Sequence, residues 1–210
     1  MHVNKVADIR KAFQDLKSTN TYSKGTLEIQ CASFEADEDH IFGTPNQDYI
    51  KAELEWYKSQ SRNVNKFTEF YHTVPKIWQS VSTPIGQINS NYGWCIYSKE
   101  NHSQYEKCMT HLNNNQDTRH AVMYYTRPTM HEDMSTDGMQ DHMCTYAVQY
   151  HCNKGVLDAH VYMRSNDAVF GYNNDFAWQK SVLNELAADT NTTSGKIMWN
   201  ASSLHVYKRH

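Results

Sequence analysis

Apolar residues at Val6, Ile9, Phe13 and Leu16 recur at helical spacing, so the chain opens with an amphipathic helix. A turn around Ser23-Lys24-Gly25 separates it from Thr26–Phe34, whose residue types and patterning predict a strand. Asp48 is placed to N-cap a second helix carrying Ile50, Leu54 and Tyr57 on one face. A third helix is predicted over Ser103–Leu112. The second half of the chain turns β-rich, with strands expected at His120–Thr126, Met143–Cys152 and Val156–Met163. The last two are joined by a turn at Asn153-Lys154-Gly155. A helix over Phe176–Ala188 turns Val182, Leu183 and Leu186 inward. Short strands at Gly195–Trp199 and Ser203–Tyr207 close the pattern. Helices and strands that mix without strict alternation predict an α+β fold. No repeat, low-complexity tract or linker interrupts residues 1–210, so one domain is expected.

Charge narrows the functional classes. The 20 basic and 23 acidic residues leave a formal net charge of −3, without the clustered basic face that grips a nucleic-acid backbone. A ligand with one or two phosphates needs only a few local arginines and stays open. Fourteen tyrosines and five tryptophans argue against disorder. The apolar stretches are too short to span a bilayer, and Met1–Lys5 lacks the apolar core of a signal peptide. The five cysteines are odd in number and scattered, which argues against a disulfide framework and for a reduced, cytoplasmic chain.

Cys144 is the thiol of most chemical interest. It sits at the start of a predicted strand, just after the turn-like Asp137–His142. Partial exposure and nearby cations would there lower its pKa, and a buried structural cysteine is the ordinary alternative. His142, Cys144, His151 and Cys152 lie close in sequence. On a strand, however, 151 faces away from the others, and no CxxC or HxxxH pair is present, so no metal site is expected. Arg164 ends a strand, where a guanidinium can hold a phosphate through two parallel hydrogen bonds; a solvated surface arginine is the plain alternative.

An ordered set of segments adds to these readings. Glu53-Leu-Glu-Trp-Tyr57, Ile77-Trp-Gln79, Ile88-Asn-Ser-Asn-Tyr-Gly-Trp94, Met143-Cys-Thr145, Arg164-Ser-Asn-Asp167, Val169-Phe-Gly-Tyr-Asn-Asn-Asp-Phe-Ala-Trp178 and Ser203-Leu-His-Val-Tyr207 follow one another along the chain. Together they resemble the thymidylate synthase superfamily, and within it the bacteriophage deoxycytidylate hydroxymethylases, over essentially the whole length. The resemblance implies a large mixed sheet with flanking helices, paired sheet to sheet in a homodimer. It implies 5,10-methylenetetrahydrofolate as co-substrate and dCMP as substrate. Cys144 becomes the nucleophile that adds to C6 of the pyrimidine. Arg164 and Ser165 take the nucleotide phosphate, joined across the dimer by Arg119 and its neighbour His120, which stands where the family usually has a second arginine. Lys24 is a looser phosphate candidate. His205 and Tyr207 match the pair on the sugar 3′-hydroxyl, Glu53 the glutamate that organises water and proton transfers, and Tyr92 a position near the pyrimidine. Trp78, Asp167 and Gly171 belong to the folate side.

Asp175 carries the choice of base. The thymidylate synthase pattern has asparagine at this position, matching uracil with a carbonyl toward N3–H and an NH₂ toward O4. Cytosine reverses that edge, and a carboxyl sharing a proton with N3 while accepting from the 4-amino group fits it. Burial raises a carboxyl pKa and favours such sharing. An N-cap of the helix from Phe176 is the ordinary role for the same residue.

Two other activities fit the same fold: a methylase making thymidylate or 5-methyl-dCMP, and a silent nucleotide- or RNA-binding relative. The combination of Cys144, Arg164 and Asp175 favours an enzyme. The sequence stops at His210, shortly after the Tyr207 motif, where family members usually continue into a segment that closes over the folate. The resemblance also implies a role in making modified cytosine for phage DNA in the cytoplasm of an infected host.

Overall fold

The computed structural model describes residues 3–19 and 25–208, and Lys24 lies outside them. The elements run α1 (Val6–Ser18), β1 (Thr26–Glu35), α2 (Gln47–Lys58), α3 (Lys76–Val81), α4 (Tyr92–Tyr97), α5 (Gln104–Asn114), β2 (Val122–Tyr124), α6 (Met130–Asp133), β3 (Thr145–Asn153), β4 (Val156–Met163), β5 (Asn166–Asp167), α7 (Gly171–Asp189) and β6 (Thr193–Tyr207). Short 3₁₀ turns occupy Val64–Glu69, Lys99–Asn101 and Thr136–Gly138.

Most predicted elements stand close to their expected places, and the differences have local causes. The cap of α2 is Asn46, whose side chain accepts from the Tyr49 N–H at 3.1 Å; Asp48 lies within the first turn instead. Helix α7 begins at Gly171, so Asp175 sits inside the helix and is not its N-cap. The two short C-terminal strands are one strand, β6. Its polar middle is held in extended form by β1 on one side and β4 on the other. At Asn153–Val156 the turn between β3 and β4 puts Lys154 and Gly155 at φ +51° and +78°, the mirror-image turn that suits the strand twist.

The sheet runs in the order β1-β6-β4-β3-β2, with β5 beside β6. β4 and β5 lie parallel to β6, and the other pairs are antiparallel, so the sheet is mixed. Alternation sends Leu157, Ala159, Val161 and Met163 of β4 and Ile197, Trp199 and Ala201 of β6 to the buried face, under α7. The opposite face presents Asp158, His160 and Tyr162 beside Met198 and Asn200, with Tyr124 of β2 exposed on the same side. No helix among the described residues is long and apolar enough to cross a membrane.

Helices α2, α4 and α7 meet above the sheet through aromatic rings. Tyr57 stacks on Tyr92 at 5.1 Å, and Trp178 meets Tyr57 edge-on at the same separation. Gly93 makes this possible, because a Cβ there would overlap the Tyr57 carbonyl.

Candidate active site

The antiparallel pairing of β3 and β4 sets Thr145 opposite Met163, so the residues just outside the two strand ends, Cys144 and Arg164, are neighbours. The Arg164 N–H donates to the Cys144 carbonyl at 2.8 Å, extending the ladder by one rung. The guanidinium turns back over the loop. Its Nε donates to the Met143 carbonyl at 2.9 Å, and Nη2 donates to the His142 carbonyl at 2.7 Å and lies 3.7 Å from the Cys144 sulfur.

Cys144 is partly exposed, as its position in the sequence suggests, but its thiol is not lowered. Burial of the sulfur pushes the pKa up to about 11, while the Arg164 charge pulls the other way and nearby Asp175 and Asp141 add to the rise. The expected cation is present; desolvation outweighs it.

Two buried carboxyls face this corner. Glu53, on α2, accepts from the Tyr49 hydroxyl at 2.9 Å and from Trp78 Nε1 at 3.2 Å. Desolvation raises its pKa to about 7, against the pull of both donors. Asp175, on α7, accepts at Oδ2 from Asn166 Nδ2 at 2.8 Å. Burial raises it to about 8, with the Glu53 charge adding to the rise and the Tyr92 and Asn166 donors opposing it. The Tyr92 hydroxyl in turn accepts from Thr145 Oγ1 at 3.1 Å, tying α4 to the residue after Cys144. Two neighbouring carboxyls that hold protons near neutrality, Asp175 of them close to the thiol, are suited to general acid–base work.

β5 adds a second group. Asp167 pairs with His205 across the β5–β6 ladder, and its Oδ1 accepts from the Val169 N–H at 2.9 Å. His205 meets the Tyr207 ring edge-on at 5.0 Å. At the start of α7, a Cβ on Gly171 would meet Asn166 Nδ2 and Asp167 Cβ at 3.4 Å, an ordinary contact, so the helix start lies directly against both residues. Ser165 follows Arg164 and is half-buried.

The structure therefore brings together Cys144, Arg164, Ser165, Glu53, Tyr92, Asp175, Asp167 and Gly171, with Trp78 held on Glu53 and His205 beside Asp167. Arg119 and His120 are exposed and stand elsewhere. The Arg119 carbonyl accepts from Gln149, four residues along β3 from Thr145, or roughly 13 Å of strand. Within one chain they do not reach Cys144.

The thymidylate synthase family model matches residues 44–210, which takes in every one of the residues assembled here. The chain belongs to the thymidylate synthase family. Among curated family members, the deoxycytidylate 5-hydroxymethyltransferases of Enterobacteria phages T4 and T2 are each 50% identical to it over 192 residues, 88% of this chain and 77% of the relative. The thermostable thymidylate synthase A from Bacillus subtilis has the same fold. It superposes with a TM-score of 0.70 at 22% identity, covering 88% of this chain and 68% of that one. The mixed sheet with flanking helices expected from the motifs is thus the family's fold.

Several residues of the site escape sequence reasoning. Asp141 is buried and accepts from the Asn89 and Ser90 N–H groups at 2.8 and 2.6 Å and from the Ser90 hydroxyl at 2.6 Å, pinning the loop that leads to Cys144. Asn89 Oδ1 accepts from Arg62 and Arg127, each at 2.9 Å, and both guanidiniums cover the Trp94 ring. Tyr49 and Asn166 hold the two carboxyls. Asn166 and Asn89 had a signal, since they lie within the Arg164–Asp167 and Ile88–Trp94 motifs.

Proposed function

We propose that this chain hydroxymethylates dCMP at C5, taking the carbon from 5,10-methylenetetrahydrofolate and the hydroxyl from water. The observation that carries the reading is Asp175, a buried carboxyl with a pKa near 8 at the position that faces the base in this family. A carboxyl that keeps its proton at neutral pH offers an O–H to cytosine N3 and an acceptor to the 4-amino group. With its O–H directed at N3 the carboxyl fits neither position of the uracil edge, and each mismatched buried group costs about 1–3 kcal/mol. The name borne by the 50% identical phage relatives supports the same substrate and reaction.

In this reading the Cys144 sulfur adds to C6, which makes C5 nucleophilic. The proton that Asp175 shares with N3 offsets the charge that develops on the ring. Glu53, with a pKa near 7, holds the water and accepts or returns protons at C5 and at the new hydroxyl. Departure of the thiolate from C6 frees the product. The folate supplies a one-carbon unit at the oxidation level of formaldehyde. Trp78, Asp167 and Gly171 would hold it.

Nε and Nη2 of Arg164 are engaged with loop carbonyls, so the phosphate contact falls to Nη1, with Ser165 beside it. His205 and Tyr207 bind the sugar hydroxyl. We further propose one catalytic domain over 1–210 that works as a homodimer through the outer sheet face. Exposed Tyr124, Tyr146 and Tyr162 suit burial there, and Arg119 and His120 would then reach the partner's phosphate site. Lys24 remains a further phosphate ligand. The product would enter modified phage DNA in the cytoplasm of the infected host.

The test incubates dCMP, dUMP and CMP separately with 5,10-methylenetetrahydrofolate and reads the products by mass. The reading predicts 5-hydroxymethyl-dCMP from dCMP. A methylated product, or turnover of dUMP in preference to dCMP, would overturn it.

A further inference from the structure

Asp175 has two oxygens, and its use as a base reader depends on which of them carries the proton. Asn166 and Asp175 are nine residues apart and come from different elements, the short strand β5 and the second turn of α7. β5 is fixed by its parallel pairing to β6, where Asn166 stands opposite Leu204, which is fully buried. Asn166 is itself buried, so its amide has little freedom to turn away. Its Nδ2 donates to Asp175 Oδ2 at 2.8 Å. Gly171 lies alongside, and a Cβ there would rest in ordinary contact with the amide nitrogen at 3.4 Å and with Oδ2 at 3.8 Å.

We infer that Asn166 is a specificity-determining positioning residue, whose amide fixes Oδ2 of Asp175 as an acceptor and so assigns the carboxyl proton to Oδ1 for the base. An oxygen that already accepts from an N–H at this distance is the poorer seat for a proton, which would have to point at another hydrogen. The protonated carboxyl is thereby held as one tautomer rather than two. Without the amide, either oxygen could carry the proton and the side chain could rotate about its last bond. Half of the arrangements would then present to cytosine N3 an acceptor where a donor is needed. The inference rests on the proposed reading of Asp175.

Tyr57 of α2 is one of the groups near Asp175, whose charge helps to raise the phenol's pKa. Glu53 from α2 adds negative charge, Asp167 from β5 adds a smaller amount, and the Tyr92 hydroxyl from α4 opposes them together with Asn166. Cys144 is close enough that the Asp175 charge raises its pKa. Tyr92 already accepts from Thr145. Asn166 is the member of this set whose only evident task is to hold the carboxyl: its own Oδ1 is buried without a partner, an arrangement that packing alone does not favour.

The experiment measures binding by calorimetry for dCMP, dUMP and 2-deoxyribose 5-phosphate, with wild type, Asn166→Ala, Asn166→Ser and Asp175→Asn. The Asp175 carboxyl is titrated in parallel by ¹³C NMR. Asn166→Ala is expected to weaken dCMP about 10- to 100-fold, as loss of one buried hydrogen bond to an ionisable group does. It should leave the base-free sugar phosphate unchanged and move the Asp175 pKa upward. Asn166→Ser, which keeps a shorter donor, should fall between wild type and Asn166→Ala. If Asn166→Ala weakens all three ligands equally, or keeps the full dCMP preference with an unmoved carboxyl, Asn166 is structural and the inference fails alone. If wild type itself binds dCMP no better than dUMP, the reading of Asp175 fails and takes this inference with it.

Discussion

The Arg164 guanidinium lies 3.7 Å from the Cys144 sulfur while holding the two carbonyls that precede it, so one side chain both shapes the nucleophile's loop and supplies its nearest cation. Burial nevertheless leaves the thiol near 11. Arg164→Gln, which keeps amide donors but removes the charge, should slow alkylation of Cys144 by iodoacetamide at pH 8 several-fold, because the thiolate is the reacting form. Peptide mass mapping follows residue 144 separately from the other thiols. An unchanged or faster rate would show that Arg164 does not support the thiolate.

The distance between Arg119 and Cys144 within one chain makes a different test available. If Arg119 works only across a dimer, Cys144→Ala and Arg119→Ala proteins should each be impaired yet complement each other when mixed and reassembled. Random pairing gives mixed dimers half the time, each with one intact site, so activity should recover to about a quarter of wild type. No recovery, with mixed dimers demonstrated by mass, would place Arg119 outside the site.

Glu53 and Asp175 also set how stability depends on pH. Their folded pKa values, about 7 and about 8, lie above their ordinary values of 4.5 and 3.8. The folded protein therefore keeps protons that the unfolded chain releases. The stability these groups contribute is fully present below about pH 4 and is lost as pH rises through 7 and 8. Asp175→Asn removes the titration. Relative to wild type it should gain thermal stability at pH 8.5 compared with pH 5, by about 2–4 °C for each kcal/mol. A difference in Tm that does not change with pH would contradict the raised carboxyl.

Gly93 is a packing prediction with a catalytic consequence. A methyl group at this position overlaps the Tyr57 carbonyl, so Gly93→Ala must push α4 away from α2. Overpacking of this kind costs roughly 1–3 kcal/mol. Because Tyr92 is the next residue and bonds Thr145, activity should fall by more than the fraction of protein unfolded. Denaturant melts and kcat on the same sample separate the two effects. Full activity at normal stability would show that the helices can part without cost.

Helix and strand periodicity made most of the fold legible, and the departures mark where tertiary structure overrides local preference. Gly171, Asn173 and Asn174 are poor helix formers, so α7 reads as starting at Phe176. It starts earlier because Asn173 is buried and donates to the Val169 carbonyl at 3.0 Å, and this moves Asp175 from a cap into the helix. Asn200 to Ser202 read as a break between two strands until β1 and β4 pair on both sides of Asn200 and Ala201. Within the site, Cys144, Arg164, Glu53, Tyr92 and Asp175 were legible because each lies in a recognisable segment. Asp141 was not, since its partners are about 50 residues away and only the fold reveals them. The direction of the Cys144 shift was also hidden, because desolvation depends on what packs above the sulfur.

If residue 175 reads the amino edge of cytosine, the steady-state specificity of Asp175→Asn must change with the base offered. In this variant kcat/KM for dCMP should fall about 100-fold or more while dUMP becomes the better substrate, as expected when buried polar groups are re-matched to the other base. A variant that kept its turnover of dCMP and gained nothing on dUMP would contradict it.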